Sequence, residues 1–183
     1  MIVKNYLENK EIEKDVRPLF EEAFPVDERP PSNIFFSSFL GENNKVLFGF
    51  YEKNEFIGFT SLIIHNDICY IFFLAVSPTK RNQGWGSQIL SYIKEKYQKY
   101  VILLCYEEVN EKYENYLERV RREHFYFKNG FKINPLKTNE FGVVFQTATI
   151  GKRIVTFDDY KEIFRTGFGE WALEHLKDVS KDK

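Results

Sequence analysis

The spacing of apolar positions changes several times along the chain, and each change marks an element. Residues 2–7 read as a short first strand. In residues 11–24 the apolar side chains fall at Ile12, Val16, Leu19, Phe20, Ala23 and Phe24, the spacing of one helix face. Pro25 ends that helix, and Arg29-Pro30-Pro31 follows as a stiff polar loop. Ser32 is placed to cap a second short helix reaching about Leu40. The period then shortens. Residues 46–52 and 55–65 are rich in Phe, Ile, Val and Tyr and are joined by Lys53-Asn54, which predicts a hairpin. Asn66-Asp67 is a second tight turn. Residues 68–76 are nearly all apolar and predict a central strand covered on both faces, stopped by Pro78.

Residues 84–100 predict a helix with Ile89, Leu90 and Ile93 on its inner face, and residues 101–106 a further buried strand. A charged helical stretch is expected from about Glu107 to Lys128, broken by Gly130. Residues 131–133 and 141–150 then read as two more strands, and Thr156 as the cap of a helix over 157–164, with 170–179 also helical. This order predicts an α/β chain: a mixed sheet with helices on its faces. Residues 1–150 read as one domain and 151–183 as a C-terminal helical extension packed on it. No internal repeat or low-complexity tract interrupts the pattern.

Composition narrows the function classes. The 183 residues are 43% hydrophobic and 29% charged, which suits a globular rather than a disordered chain. Nineteen Phe and 11 Tyr supply large rings for a core or for a pocket, and composition does not separate the two uses. With 26 basic and 27 acidic residues the net charge is −1, so no basic excess points to nucleic acid. No stretch approaches the roughly 18 apolar residues of a membrane span. Lys4, Glu8 and Lys10 interrupt any apolar leader. Cys69 and Cys105 sit in apolar runs and read as buried core thiols. A reducing, cytoplasmic setting is the expectation. His65, His124 and His175 share no metal spacing, no Gly-x-Ser-x-Gly elbow occurs, and no metal is expected.

The informative stretch is residues 73–90: a buried strand, a loop with two glycines, and a helix N-terminus. The first N–H groups of a helix lack internal partners and the helix dipole favours anions there. Gly84 and Gly86 let a phosphate approach the backbone, and Arg81 and Ser87 can add donors. A P-loop does not fit, because no Lys follows Gly86. The dinucleotide fingerprint does not fit either, because Ile89 stands where its third glycine belongs. What fits is Arg81-x-x-Gly84-x-Gly86 preceded by Leu74-Ala75-Val76-x-Pro78.

That pattern resembles the pyrophosphate loop of the Gcn5-related N-acetyltransferase (GNAT) superfamily. A second match lies at residues 124–131, where Phe125-Tyr126 and Gly130-Phe131 resemble the family's Phe-Tyr-x-x-x-Gly-Phe segment. The resemblance covers residues 46–150 as architecture and some thirty residues as motif. It implies a mostly antiparallel sheet whose central strands, those ending at Val76 and at residue 106, splay apart around acetyl-coenzyme A. It also implies roles. Leu74, Ala75 and Val76 would pair with the pantetheine arm, and the Val76 N–H would polarise the thioester carbonyl. The backbone of Arg81, Asn82, Gln83, Gly84, Trp85, Gly86 and Ser87 would hold the pyrophosphate. Tyr126 would protonate the departing thiolate. Many members carry Glu or His three to four residues before the Ala-Val pair, where this chain has Ile71 and Phe72. The base is therefore elsewhere or dispensable. Phe24, Asp27, Glu28, Tyr70, Phe72 and Glu107 are the expected acceptor-binding residues, with carboxylates favouring a cationic amine. The expected partner is a small-molecule amine, with a homodimer left open. The rival reading is a non-catalytic acyl-CoA-binding module of the same fold.

Overall fold

The computed structural model describes residues 1–26, 29–41 and 44–180. They form two compact units, Met1–Ile63 with Ile71–Ile93, and Ile64–Tyr70 with the chain from Lys94 onward. The first unit contains β1 (Ile2–Asn5), α1 (Glu13–Ala23), α2 (Ser32–Ser37), β2 (Lys45–Glu52), β3 (Glu55–His65), β4 (Ile68–Val76) and α3 (Trp85–Lys96). Strand β3 and helix α3 run on into the second unit, and β4 has its first three residues there. Strand order in the first unit is β1-β2-β3-β4. β2 and β3 are antiparallel, with Phe48 opposite Thr60. Lys53 and Asn54 take φ of 48° and 69°, both left-handed as a two-residue hairpin turn requires.

Helix α1 buries Val16, Leu19 and Phe20, and the 3-10 turn before it buries Ile12. These pack with Phe35, Phe36 and Phe39 over Leu47, Tyr51, Phe59, Phe73 and Ala75. Phe20 stacks on Phe35 with ring centroids 4.1 Å apart. Each such ring contributes about 2–3 kcal/mol by leaving water. Ser32 does not cap α2: Pro31 is the residue before the helix, and the Ser32 hydroxyl donates to Glu21 instead. Gly58 is where β3 meets β4. A Cβ there would lie 2.2 Å from the Ala75 carbonyl oxygen, so no other residue fits without moving the strand.

The second unit contains β5 (Val101–Glu107), α4 (Tyr116–Lys128), β6 (Lys132–Glu140), β7 (Val143–Ile150), α5 (Phe157–Phe168) and β8 (Leu176–Asp178). Its order is β4-β5-β7-β6-β8, with β4 contributing residues 68–70. β7 is antiparallel to β5 and β6, and β8 is antiparallel to β6. Three expectations change here. Helix α4 starts at Tyr116, and Glu107 closes β5 rather than opening a helix. β6 continues to Glu140, because its register shifts between Ile133 and Lys137 and so passes Pro135, which has no N–H to pair. Residues 170–179 are a 3-10 turn and the strand β8, not a helix. Thr156 does cap α5, in a capping box with Asp159. The mixed sheet with flanking helices agrees with the fold class read from the sequence.

Candidate active site

In the first unit, β4 leads into the loop that opens α3. Ile71, Phe73 and Ala75 are buried, while Phe72, Leu74 and Val76 are half-buried. The strand read as covered on both faces thus alternates from Ile71 on, and an apolar row remains partly open. The Phe73 N–H donates to Ser61 Oγ at 3.1 Å, and its carbonyl accepts from Thr60 Oγ1 at 2.9 Å. Side chains of β3 therefore hold the middle of β4. The Ser77 N–H donates to the Ile57 carbonyl at 2.8 Å and ties down the strand end.

Beyond Ser77 a 3-10 turn, Pro78–Lys80, lifts the chain away. Asn82 and Gly84 take φ of 61° and 83°, which bend the backbone back toward the helix. A Cβ on Gly84 would meet nothing within 4 Å. Glycine is needed there for its backbone angle, and the space above it is open. Arg81 Nε donates to the Val76 carbonyl at 3.1 Å, and Gln83 Nε2 to the Thr79 carbonyl at 2.9 Å, so the loop is braced against the strand. The first helical bond entering α3 runs from the Gln88 N–H to the Gly84 carbonyl, 3.2 Å. The N–H groups of Trp85, Gly86 and Ser87 precede it and have no helical carbonyl behind them. Left-handed Asn82, the left-handed and open Gly84, and a helix N-terminus make a cradle suited to a phosphate.

In the second unit Tyr126 lies on α4, half-buried, against Tyr106 and Phe131 at ring-centroid distances of 5.7 and 6.0 Å. Its carbonyl accepts from the Phe131 N–H at 3.2 Å, which fixes the turn at the helix end. Among the described residues its hydroxyl has no hydrogen-bond partner. Burial pushes its pKa up to about 12, against a smaller downward pull from Arg122. It stays a protonated donor throughout the neutral range.

A family model described as "Acetyltransferase (GNAT) domain" matches residues 43–133. The chain belongs to the Gcn5-related N-acetyltransferase superfamily. The solved structures that this GNAT chain resembles agree on the fold. A GNAT-family protein from Bacteroides thetaiotaomicron superposes with a TM-score of 0.76 at 19% identity, covering 93% of this chain and 99% of that one. An aminoglycoside 6′-N-acetyltransferase complexed with coenzyme A gives 0.65 at 16% identity, covering 84% and 99%. The ribosomal-protein-S18-alanine N-acetyltransferase from Escherichia coli gives 0.60 at 15%, covering 85% and 100%. At such identities the likeness is one of fold. No match is found among curated proteins.

The expected acceptor residues of this GNAT chain divide. Phe24 and Phe72 come together in the first unit, both half-buried against the aromatic cluster. Asp27 and Glu28 lie outside the described residues. Tyr70 is fully buried, with its hydroxyl 2.9 Å from Cys105 Sγ and 3.0 Å from Tyr160 Oη. The sheet pleat turns its side chain toward Cys105 and Tyr160 in the core of the second unit. Glu107 lies at the end of β5. It is buried and pairs with Arg119 at 2.8 Å and with Arg122, so its charge is already balanced. Of these two arginines of α4, Arg119 is buried and Arg122 is exposed.

One group escaped the sequence reading. Glu140, at the end of β6, is buried and accepts from Thr138 Oγ1 at 2.7 Å and from Tyr160 Oη at 2.8 Å. Burial pushes its pKa up to about 7, and the two hydroxyls pull it back only in part. Its partners come from positions 138 and 160, and the network runs on to Tyr70 and Cys105. No local motif could have signalled it. Among the described residues no three His, Cys, Asp or Glu side chains gather as a metal site would require.

Proposed function

We propose that the chain transfers the acetyl group of acetyl-coenzyme A to the primary amine of a small molecule by direct attack. The observation that carries this reading is the cradle of residues 81–87 at the end of β4. Its amides would take the pyrophosphate, and Leu74, Ala75 and Val76 would run alongside the pantetheine arm. The Val76 N–H would donate to the thioester oxygen as negative charge develops on it, an effect of the oxyanion-hole kind. The neutral amine nitrogen attacks the carbonyl carbon, the N–C bond forms and the C–S bond breaks. The thiolate takes the Tyr126 phenolic proton, the proton leaving nitrogen goes to water, and water restores the phenol. An unpartnered hydroxyl that stays protonated at neutral pH suits that donor role. The aminoglycoside enzyme and the ribosomal-protein enzyme of like fold act on different amines, so the fold itself does not choose the acceptor.

Phe72, and the lack of any carboxylate or imidazole on β4, favour a second reading, a module that binds acyl-coenzyme A without turnover. Release of free thiol from acetyl-coenzyme A, followed across a panel of primary amines, separates the two. Thiol release that depends on amine is expected. Thermal stabilisation by coenzyme A with no release on any amine would replace the enzyme by the binding module.

A further inference from the structure

Phe24, Phe73 and Phe72 form a continuous aromatic ledge in the first unit. The ring centroids of Phe24 and Phe73 lie 4.4 Å apart, and those of Phe72 and Phe73 4.1 Å apart. The middle ring is buried, and the two outer rings are half-buried. A single part-exposed ring is ordinary on a protein surface. Two such rings bridged by a buried third, on the strand that leads to Val76, have the make-up of a recognition surface.

The ledge is held in place before any ligand arrives. Phe24 follows α1 with an extended backbone, and its carbonyl accepts from Arg29 Nε at 2.9 Å. The Arg29 guanidinium lies over the Phe20 ring at 5.3 Å, and its Nη1 reaches Ser32 Oγ at 3.4 Å. Phe73, under both outer rings, is fixed through its own amide and carbonyl by Ser61 and Thr60. A surface rigid in this way binds without a large ordering cost.

No side chain of β4 is a carboxylate or an imidazole. An amine beside this strand therefore has to become neutral without a base from it. Apolar rings help, because loss of water disfavours the ammonium form. Phe72 stands four residues before Val76, roughly 13 Å along a strand. A ring-to-ring contact takes about 5 Å of that span. The approach of nitrogen to the carbonyl carbon takes about 3 Å. About 5 Å remains between the acceptor's ring centre and its nitrogen, the reach of a two-carbon linker.

We propose that the acceptor is a small primary amine with an aromatic ring about two carbons from its nitrogen, and that Phe24 and Phe72 set that preference. This rests on the transferase reading, which puts the thioester at Val76 on the same strand. The test compares kcat/KM for phenethylamine and propylamine, two primary amines that differ by the ring, with thiol release as the readout. Calorimetric binding of coenzyme A is measured on the same samples. The wild-type ratio is expected to be about tenfold or more in favour of phenethylamine. Phe24→Ala and Phe72→Ala are each expected to cut that ratio to about threefold or less. Phe72→Leu, which keeps an apolar side chain and loses the ring, is expected to do the same. A wild-type ratio near one, or a ratio that survives all three variants, overturns the inference. If coenzyme A still binds and thiol is still released, the transferase reading stands without it. If coenzyme A does not bind, the transferase reading fails first and takes the acceptor proposal with it.

Discussion

Tyr126→Phe separates chemistry from packing more cleanly than any other substitution here. The ring lies against Tyr106, Phe125 and Phe131, and phenylalanine keeps all of those contacts. The hydroxyl has no hydrogen-bond partner among the described residues, so its removal strands no donor or acceptor within the fold. The stability change is therefore expected within about 0.5 kcal/mol, as for a neutral substitution. The chemical cost is of another size. A positioned general acid supplies about 10²–10⁴ in rate, and direct protonation of the thiolate by water recovers part of that. A fall in kcat of at least tenfold is expected, equivalent to 1.4 kcal/mol or more in the barrier. The KM for acetyl-coenzyme A should stay within about twofold, since the phenol acts on a charge that exists only as the C–S bond breaks. The assay is steady-state thiol release with a fixed amine, next to a denaturant titration of both proteins. Because burial lifts the Tyr126 pKa to about 12, no loss of activity through this group should appear between pH 6 and 9. Equal kcat in the two proteins, or a stability loss of several kcal/mol with proportionate loss of bound cofactor, would refute the acid role.

Two further substitutions test the frame around the site. Gly58→Ala places a methyl group against the Ala75 carbonyl and must push β4 outward, so a loss of about 1–3 kcal/mol in urea unfolding is expected. Wild-type stability in that variant would show that the β3–β4 approach is looser than described. Glu140→Gln tests the buried carboxyl. Its pKa rises from 4.5 to about 7 on folding, so the folded state holds this proton more tightly. The stabilisation from that difference is fully present below about pH 4.5 and is lost as pH rises through about 7, on the order of 3 kcal/mol in total. Thermal unfolding of the wild type against Glu140→Gln across pH 4.5–8 should show the variant with the flatter profile. Parallel profiles would remove Glu140 as the source.

Much of the sheet was legible because strands declare themselves through neighbours in sequence. Residues 68–76 were bounded correctly by Asn66-Asp67 before and Pro78 after, and the Lys53-Asn54 turn carried its own backbone signature. The strand, loop and helix start of residues 73–90 were legible for the same reason, since all three lie within eighteen residues. The failures are cases where distant contacts decide. Glu107 belongs to a strand because β7 pairs with it through Phe145, although the charged residues after it suit a helix surface. Residues 176–178 form a strand because β6 is there to receive them, a partner some forty positions earlier. Ser32 had the chemistry of a cap, but the helix begins at Ser32 itself with Pro31 in the cap position, and the Ser32 hydroxyl donates to Glu21. The burial of Tyr70 was not legible either, because its partners Cys105 and Tyr160 lie 35 and 90 positions away in sequence.

The most direct test of coenzyme A recognition follows each backbone amide by nitrogen-15 NMR while coenzyme A is added to the purified chain. The largest shifts should fall on Asn82, Gln83, Gly84, Trp85, Gly86 and Ser87, with a second group at Leu74 and Val76, and all should saturate together. Undisturbed amides in that loop, with shifts elsewhere or nowhere, would contradict the assignment of the β4–α3 turn as the cofactor's diphosphate site.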